Sequence, residues 1–378
     1  MNIGFDARKA LQNGGEEGVF SRNLIQIISD YYPENKYFLF SDKTGRYHIK
    51  DFSNRAASVK LMQPEGNLHK LLTFYWKEIG IGKQIFEQRL RVYHGLTGEV
   101  PADLPPGKKA KKVISLQNTA ELLNIENLSF LDRSLLKSSF EKKIKKTDHL
   151  ILPSIFASEL FQEKLKVPSK KIFVLNNPVD KGFFEEANAP EKGDPFYYLP
   201  QEFLLSVASG GKNGNLEVLM QAYNRVYLQS ITILPLFIVG RESVYINTLK
   251  VYARELGLEK KIFFLPKVNT MLLRHLYKKA SLVLIPTLKE TSAHLLMQAM
   301  ATNSSFIASD IAVHREIAPS GIPYFDPNNS DQLTQIMTDY FKDPNSFGPF
   351  KENARLLCDG FKPAMFAKRL NDFYLSFE

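Results

Sequence analysis

Short runs of β-branched, aliphatic and aromatic residues recur along the chain, each followed by a polar turn and then by apolar residues at helical spacing. Asn2 to Phe5 is the first such run; Val19, Phe20, Leu24, Ile25 and Ile28 then repeat with a helical period until Tyr31, Tyr32 and Pro33 end the segment. Tyr37 to Phe40, Ser58 to Met62, Val92 to His94, Val113 to Leu116, His149 to Leu152 and Lys171 to Leu175 read as further strands, and Ser154 to Lys166 as a helix. Runs this short and this apolar suit strands covered by helices on both faces. Their alternation with helices predicts a parallel sheet with right-handed crossovers.

The same pattern begins again at Phe203 to Ala208 and continues through Leu234 to Val239, Ile262 to Leu265, Ser281 to Ile285 and Phe306 to Ala308. Between the two series, Glu185 to Pro200 carries Pro190, Gly193, Pro195 and Pro200 among charged residues, which marks a boundary. The expected division is residues 1–184, a linker at 185–201, a second domain over 202–362, and a terminal helix over 363–378. A chain of 378 residues also exceeds what one core usually serves. In the terminal segment Met365, Phe366, Leu370, Phe373 and Tyr374 share one helical face.

Chemistry concentrates in three strand-to-helix turns. After Ser281 to Ile285 come Pro286, Glu290 and a helix read from Ser292, with Leu295, Leu296, Ala299 and Met300 on one face. Such a turn lies beside the usual ligand crevice of an open α/β sheet, and unpaired N–H groups at the helix start suit a phosphate. Glu290, Ala293, His294 and Leu295 are therefore candidates, His294 having the alternative role of a turn cap. The turn Asn13 to Gly18 places Gly14 and Gly15 before the first helix, where backbone approaches a ligand closely or glycines merely make a turn. Its spacing is not the dinucleotide fingerprint. The turn Ser209 to Asn215 carries Lys212, whose long stem reaches a phosphate or simply stays in solvent.

Composition narrows the classes. The single cysteine, Cys358, excludes an internal disulfide and a thiolate-clustered metal site, and reads as a small core residue. No run approaches the roughly 20 apolar residues of a membrane span, and the start of the chain lacks a signal-peptide pattern, so a cytoplasmic location is expected. The net charge of +9 favours phosphate-bearing or anionic partners. Lys108, Lys109, Lys111 and Lys112, with Lys137, Lys142, Lys143, Lys145 and Lys146 on the outer face of a helix over Leu131 to Thr147, form either a solvated face or a contact with an anionic membrane. No aromatic-basic motif supports nucleic-acid binding.

The order strand, Pro286, Glu290, helix, then Ser304 to Asp310 and Arg315-Glu316-Ile317, resembles the C-terminal half of the retaining GT-B glycosyltransferases of group 1, family 4-like. The resemblance extends in element order over nearly the whole chain. Their signature is a Glu, seven residues and a second Glu; here Glu290 is followed by Gln298, with Thr291 and Ala293 where glycines are usual. The resemblance implies two Rossmann-like α/β/α domains facing across a cleft, an N-terminal acceptor domain and a C-terminal donor domain. It implies transfer of a sugar from a nucleotide-sugar donor to a glycan, lipid-linked or protein acceptor, with retention and without a metal or other cofactor.

Residue by residue, the resemblance makes Glu290 the group that grips the sugar and Gln298 the substitute for a ribose-binding carboxylate. Lys212 and Asn213 stand at or beside the diphosphate-holding turn, Ala293, His294 and Leu295 at the helix start, and Gly14 and Gly15 in the loop facing the donor. Gln117 and Asn118 occupy the place of a His-Asp pair near the reacting sugar, Asn118 having the alternative of a helix cap. A catalytically silent subunit that supports an active glycosyltransferase is the second reading.

Overall fold

The computed structural model describes the chain apart from residues 52–57, 65–75, 77–79, 102–109, 118, 186–198, 209–210, 230–233 and 378. It consists of two units, Met1–Pro178 together with Lys362–Glu378, and Val179–Phe361. Most of the expected linker at 185–201 lies outside the described residues. The segment just before it belongs to the second unit, because Phe183 packs edge-on against Tyr277 with ring centroids 5.9 Å apart.

In the first unit the elements run β1 (Asn2–Asp6), α1 (Arg8–Gln12), α2 (Glu16–Tyr31), β2 (Lys36–Phe40), β3 (Val59–Met62), α3 (Ile81–Glu87), β4 (Val92–Gly95), β5 (Lys111–Ser115), α4 (Phe130–Lys145), β6 (His149–Leu152), α5 (Ile155–Leu165) and β7 (Ile172–Val174). The second unit holds β8 (Leu204–Val207), α6 (Leu216–Leu228), β9 (Leu236–Val239), α7 (Val244–Glu255), β10 (Ile262–Leu265), α8 (Thr270–Lys279), β11 (Leu282–Ile285), α9 (His294–Ala301), β12 (Phe306–Ser309), α10 (Ala312–Ile317), β13 (Tyr324–Phe325), α11 (Ser330–Lys342) and α12 (Gly348–Leu357). Helix α13 (Pro363–Leu375) closes the chain. Among the described residues each unit has one sheet, ordered β3-β2-β1-β4-β5-β6-β7 and β10-β9-β8-β11-β12-β13, and every strand pair in them is parallel.

Helix starts follow their capping residues. Ser129, Ser154, Ser243 and Asn269 each accept a backbone N–H at the start of α4, α5, α7 and α8, satisfying donors that a helix cannot pair internally. Two elements escape the sequence pattern: α1, five residues inside what reads as a turn, and β13, two residues long. Both are too short for a period to show.

The second core joins Leu204, Leu282, Leu284 and Ile307 of the sheet to Leu216, Met220 and Tyr223 of α6. Each such fully buried side chain contributes about 1.5–3 kcal/mol of transfer free energy. In the first unit α13 buries Phe366, Leu370 and Tyr374 against Ile3, Phe5, Leu24 and Ile28. It is also pinned by polar contacts: His94 Nδ1 lies 2.6 Å from Tyr374 Oη and His94 Nε2 2.7 Å from Ser115 Oγ, all buried. Burial pushes the His94 imidazole down to about 3, so the ring is neutral near pH 7. Cys358 is buried, as its apolar neighbourhood predicts.

Candidate functional site

Strand order fixes where a ligand is offered. In the second sheet the chain moves outward from β8 through β9 to β10, then restarts on the other side with β11, β12 and β13. The switch point lies between β8 and β11, and the turns leaving their carboxyl ends open the crevice where α/β sheets bind ligands.

These two turns are tied together. Leu288 N–H donates to the Asn213 carbonyl at 2.8 Å, and the Asn215 amide donates to the carbonyls of Pro286 at 2.9 Å and Pro327 at 2.7 Å. Asn215 sits in the left-handed region at φ 55°, which Asn tolerates better than most residues. Gly211 has φ 70° with open space where a Cβ would stand, so backbone conformation rather than crowding calls for glycine there. Lys212 is exposed on the short turn Gly211–Gly214.

On the other side of the crevice, α9 begins at Ala293 with no side-chain cap, unlike the four helices above. Its first N–H groups, those of His294 and Leu295 included, therefore lack an intrahelical or capping acceptor. One turn into this helix, the side chains of His294 and Gln298 meet, Gln298 Nε2 lying 2.9 Å from His294 Nε2. The amide donates, so the ring accepts at Nε2 and carries its proton on Nδ1. His294 Nδ1 and Gln298 Oε1 are both buried and have no hydrogen-bond partner. Burial pushes the His294 imidazole down to about 4, so it is a neutral donor rather than a cation. Gln298 is 7% exposed, and leaving a buried polar atom unpaired costs about 1–3 kcal/mol. A donor and an acceptor thus stand ready for a hydroxyl-bearing ligand.

Glu290 lies in the same turn. Its Oε1 is 2.7 Å from His314 Nε2, and His314 Nδ1 is 2.8 Å from the Ser309 carbonyl. His314 is fully buried, whereas the Glu290 side chain is 15% exposed. Exposed cations follow the neighbouring strands: Arg241 after β9, Lys267 after β10 and Lys289 after β11. The acids nearby are engaged, Glu242 with Lys250 at 2.7 Å and Glu290 with His314. Exposed cations thus stand after three of the strands at the carboxyl edge of this sheet. Among the described residues no group of three or more His, Cys, Asp or Glu side chains could hold a metal ion, and no helix is long and apolar enough to cross a membrane.

Solved structures share this fold over the full length. Anabaena HepE, crystallised with UDP and glucose, superposes with a TM-score of 0.70 at 16% identity, covering 100% of both chains. A glycosyltransferase from Rickettsia africae gives 0.71 at 15% identity over 100% of this chain and 98% of that one. WaaG, a glycosyltransferase of lipopolysaccharide biosynthesis, gives 0.67 at 14% over 99% of each. The chain has the GT-B fold. Within this GT-B chain, residues 192–357 match the family model of the glycosyl transferases group 1. The O-antigen chain mannosyltransferase RfbU of Salmonella typhimurium is 24% identical over 222 residues, a match spanning 59% of this chain and 59% of that protein.

The GT-B fold gives the first unit its own switch point, between β1 and β4. There Arg8 donates to buried Asp6 through Nε at 2.8 Å and to Thr97 and Glu99 through Nη2 at 3.2 and 2.7 Å, while the Thr97 hydroxyl donates to Asp6. Burial alone would lower the Arg8 pKa; the hydrogen bonds and charges of Asp6 and Glu99 outweigh it and raise it.

Of the residues expected at the site, the structure gathers Lys212, Asn213, Glu290, Ala293, His294, Leu295 and Gln298 at the second switch point. Gly14 and Gly15 lie in the first unit, and Gly15 departs from expectation: its N–H is taken by Asn13 Oδ1 at 2.6 Å. The glycine that this loop requires is Gly18, where a Cβ would stand 1.9 Å from the Asn13 carbonyl oxygen. Asn118 lies outside the described residues; its neighbour Gln117 leaves Oε1 buried and unpartnered. His314, Asn215, Arg241 and Lys289 are the site residues that sequence reasoning missed. For the two cations, their position just after a strand was the available signal.

Proposed function

We propose that this chain is a glycosyltransferase that moves a hexose from a nucleotide-diphosphate donor to a hydroxyl of a glycan, lipid-linked or protein acceptor, with retention of configuration and without a resident metal. The observation that carries this reading is the convergence, at the β8/β11 switch point, of an uncapped helix start, an unpartnered buried donor and acceptor, the Glu290 carboxylate and the exposed Lys212. The complex of a structural relative, Anabaena HepE, with UDP-glucose and the likeness to an O-antigen chain mannosyltransferase support it.

In the proposed transfer the bond from the anomeric carbon to the diphosphate breaks with its electron pair leaving on a phosphate oxygen. The acceptor hydroxyl oxygen forms the new bond, and its proton leaves with the departing diphosphate. The N–H groups of α9 and the cation of Lys212 stabilise the charge that grows on the phosphates. His294 Nδ1 and Gln298 Oε1 pair with donor hydroxyls, and Glu290 holds the sugar while the acceptor arrives.

Calorimetry with UDP, GDP and ADP and their common sugars tests this directly. Tight binding of one nucleotide sugar is expected, with Glu290→Ala lowering the transfer rate by about 10²-fold. No binding of any of them would reject the reading.

We also infer that this glycosyltransferase works against an anionic membrane at its cytoplasmic face. Helix α4 presents Phe130, Leu131 and Leu135, which are 83%, 71% and 69% exposed, and beyond them the exposed Lys142, Lys145 and Lys146. Apolar side chains beside lysines are the composition of an interfacial helix, and each lysine near an anionic surface contributes about 1 kcal/mol. Co-sedimentation with phosphatidylglycerol vesicles at low salt, lost at high salt, is expected; equal binding to neutral vesicles would reject it.

A further inference from the structure

The contact between Glu290 and His314 is the part of the second switch point for which the transfer above has no separate use. Its hydrogen-bond logic is fully determined. The Ser309 carbonyl can only accept, so His314 Nδ1, 2.8 Å away, must carry a hydrogen. In a neutral ring that leaves a bare lone pair on Nε2, facing a carboxylate oxygen at 2.7 Å. Two acceptors do not meet at that distance; a proton lies between them. The separation is that of a charge-assisted N–H···O bond. Between the two possible owners, an imidazole outcompetes a carboxylate for a proton by about two pKa units in model compounds.

We propose that His314 is a positioning residue for Glu290: it sits in the fold as an imidazolium, donates from Nε2 to Oε1, and leaves Oε2 as the one carboxylate oxygen offered to a ligand. Oε2 has no hydrogen-bond partner among the described residues. No Lys or Arg pairs with Glu290 there either, so His314 is the cation that balances it.

The groups around the pair agree with this assignment. Asp310, at the end of β12, is taken by Arg315 at 2.7 Å, and the Tyr324 hydroxyl donates to the His314 carbonyl at 3.0 Å rather than to the ring. Tyr277, on α8, faces Glu290 with its hydroxyl buried and unpartnered; burial first, and the Glu290 charge second, raise its pKa, so it stays neutral. His294 is a neutral ring.

One consequence follows for a donor. A carboxylate fixed at one oxygen cannot rotate, so a sugar hydroxyl finds Oε2 already in place. This part rests on the donor-site reading above; the protonation of the ring does not.

The test has two arms. In the free protein near pH 7, ¹⁵N spectra of labelled histidine, with the His314 signals identified by their absence in His314→Gln, should show both ring nitrogens protonated among the seven histidines. A singly protonated His314 ring would overturn the proposal. In the second arm His314→Gln, which keeps a donor but removes the charge, should weaken nucleotide-sugar binding by about tenfold or more while the bare nucleoside diphosphate binds within about twofold of wild type. Equal loss for both ligands, or for neither, would overturn the positioning role. A wild-type protein that binds no nucleotide sugar would instead overturn the donor-site reading, and the spectrum alone would then decide the state of the ring.

Discussion

The two units repeat one architecture but finish their switch points in opposite ways. In the first, Asp6, Arg8, Thr97 and Glu99 close on one another. In the second, two buried polar atoms of His294 and Gln298 face no partner. The lesson is that a shared fold does not share out function equally. Polar groups that satisfy each other hold a loop in place, whereas groups left unsatisfied at a cost of about 1–3 kcal/mol each are kept for something else to bind.

The largest effect expected from breaking this contrast is on the first side. Arg8→Ala strands the Asp6 carboxylate, 1% exposed, without its cation, and should lower stability by about 3–5 kcal/mol in a denaturant titration. Nucleotide affinity, which we propose for the other switch point, should stay within about twofold wherever the variant is folded. A stable Arg8→Ala protein that loses nucleotide binding would reverse the assignment of roles.

The same contrast explains what the sequence could and could not say. Most strands were readable because they are short apolar runs, several of them buried on both faces, such as Leu282 to Ile285. The placement of Glu290, His294 and Gln298 was readable because a strand, a turn and a helix follow one another in sequence, which already sets the helix start at the end of the strand. The partners of these residues were not readable. His314 reaches Glu290 only because β12 lies beside β11, and the pair is 24 residues apart. Arg8 meets Glu99 across 91 residues because β1 lies beside β4, a neighbour relation that no hydrophobic period encodes. The bond from the Gly15 N–H to Asn13 was hidden for a further reason: Asn13 reads as a turn residue whether or not its side chain turns back to a backbone N–H.

A second comparison pairs two histidines, one in each unit, that burial holds in the neutral form. His94 is pushed down to about 3 and His294 to about 4, each by burial, from an ordinary 6.5. Both are neutral when folded and free to take up a proton when unfolded. As pH falls below about 6.5 the unfolded chain binds more protons than the folded one, so stability is full above that pH and drops below it. Each ring contributes a loss of up to about 1.4 kcal/mol per pH unit until its folded value is reached. Thermal melts from pH 7 to pH 4 should show this slope, and His294→Asn should flatten it without touching the His94 share. A nucleotide sugar that pairs with His294 Nδ1 should steady the second unit alone, which hydrogen exchange on α9 reads separately from α13.

The smallest expected effect separates an exposed rim residue from the buried pair. Lys212 makes no hydrogen bond or ion pair through its side chain among the described residues, so Lys212→Ala removes nothing that holds the fold, and its melting temperature should match wild type. What it removes is one positive charge where a diphosphate would lie. At low ionic strength nucleotide affinity should fall by about fivefold, and the difference should shrink as salt is added, because an exposed charge is screened over about 10 Å at 0.1 M. Gln298 carries no charge for salt to screen, so Gln298→Leu should weaken binding to the same extent at every salt concentration. A salt-independent loss in Lys212→Ala would mean that the lysine acts through the loop it stands on, the turn that Asn213 ties to Leu288, rather than through its charge.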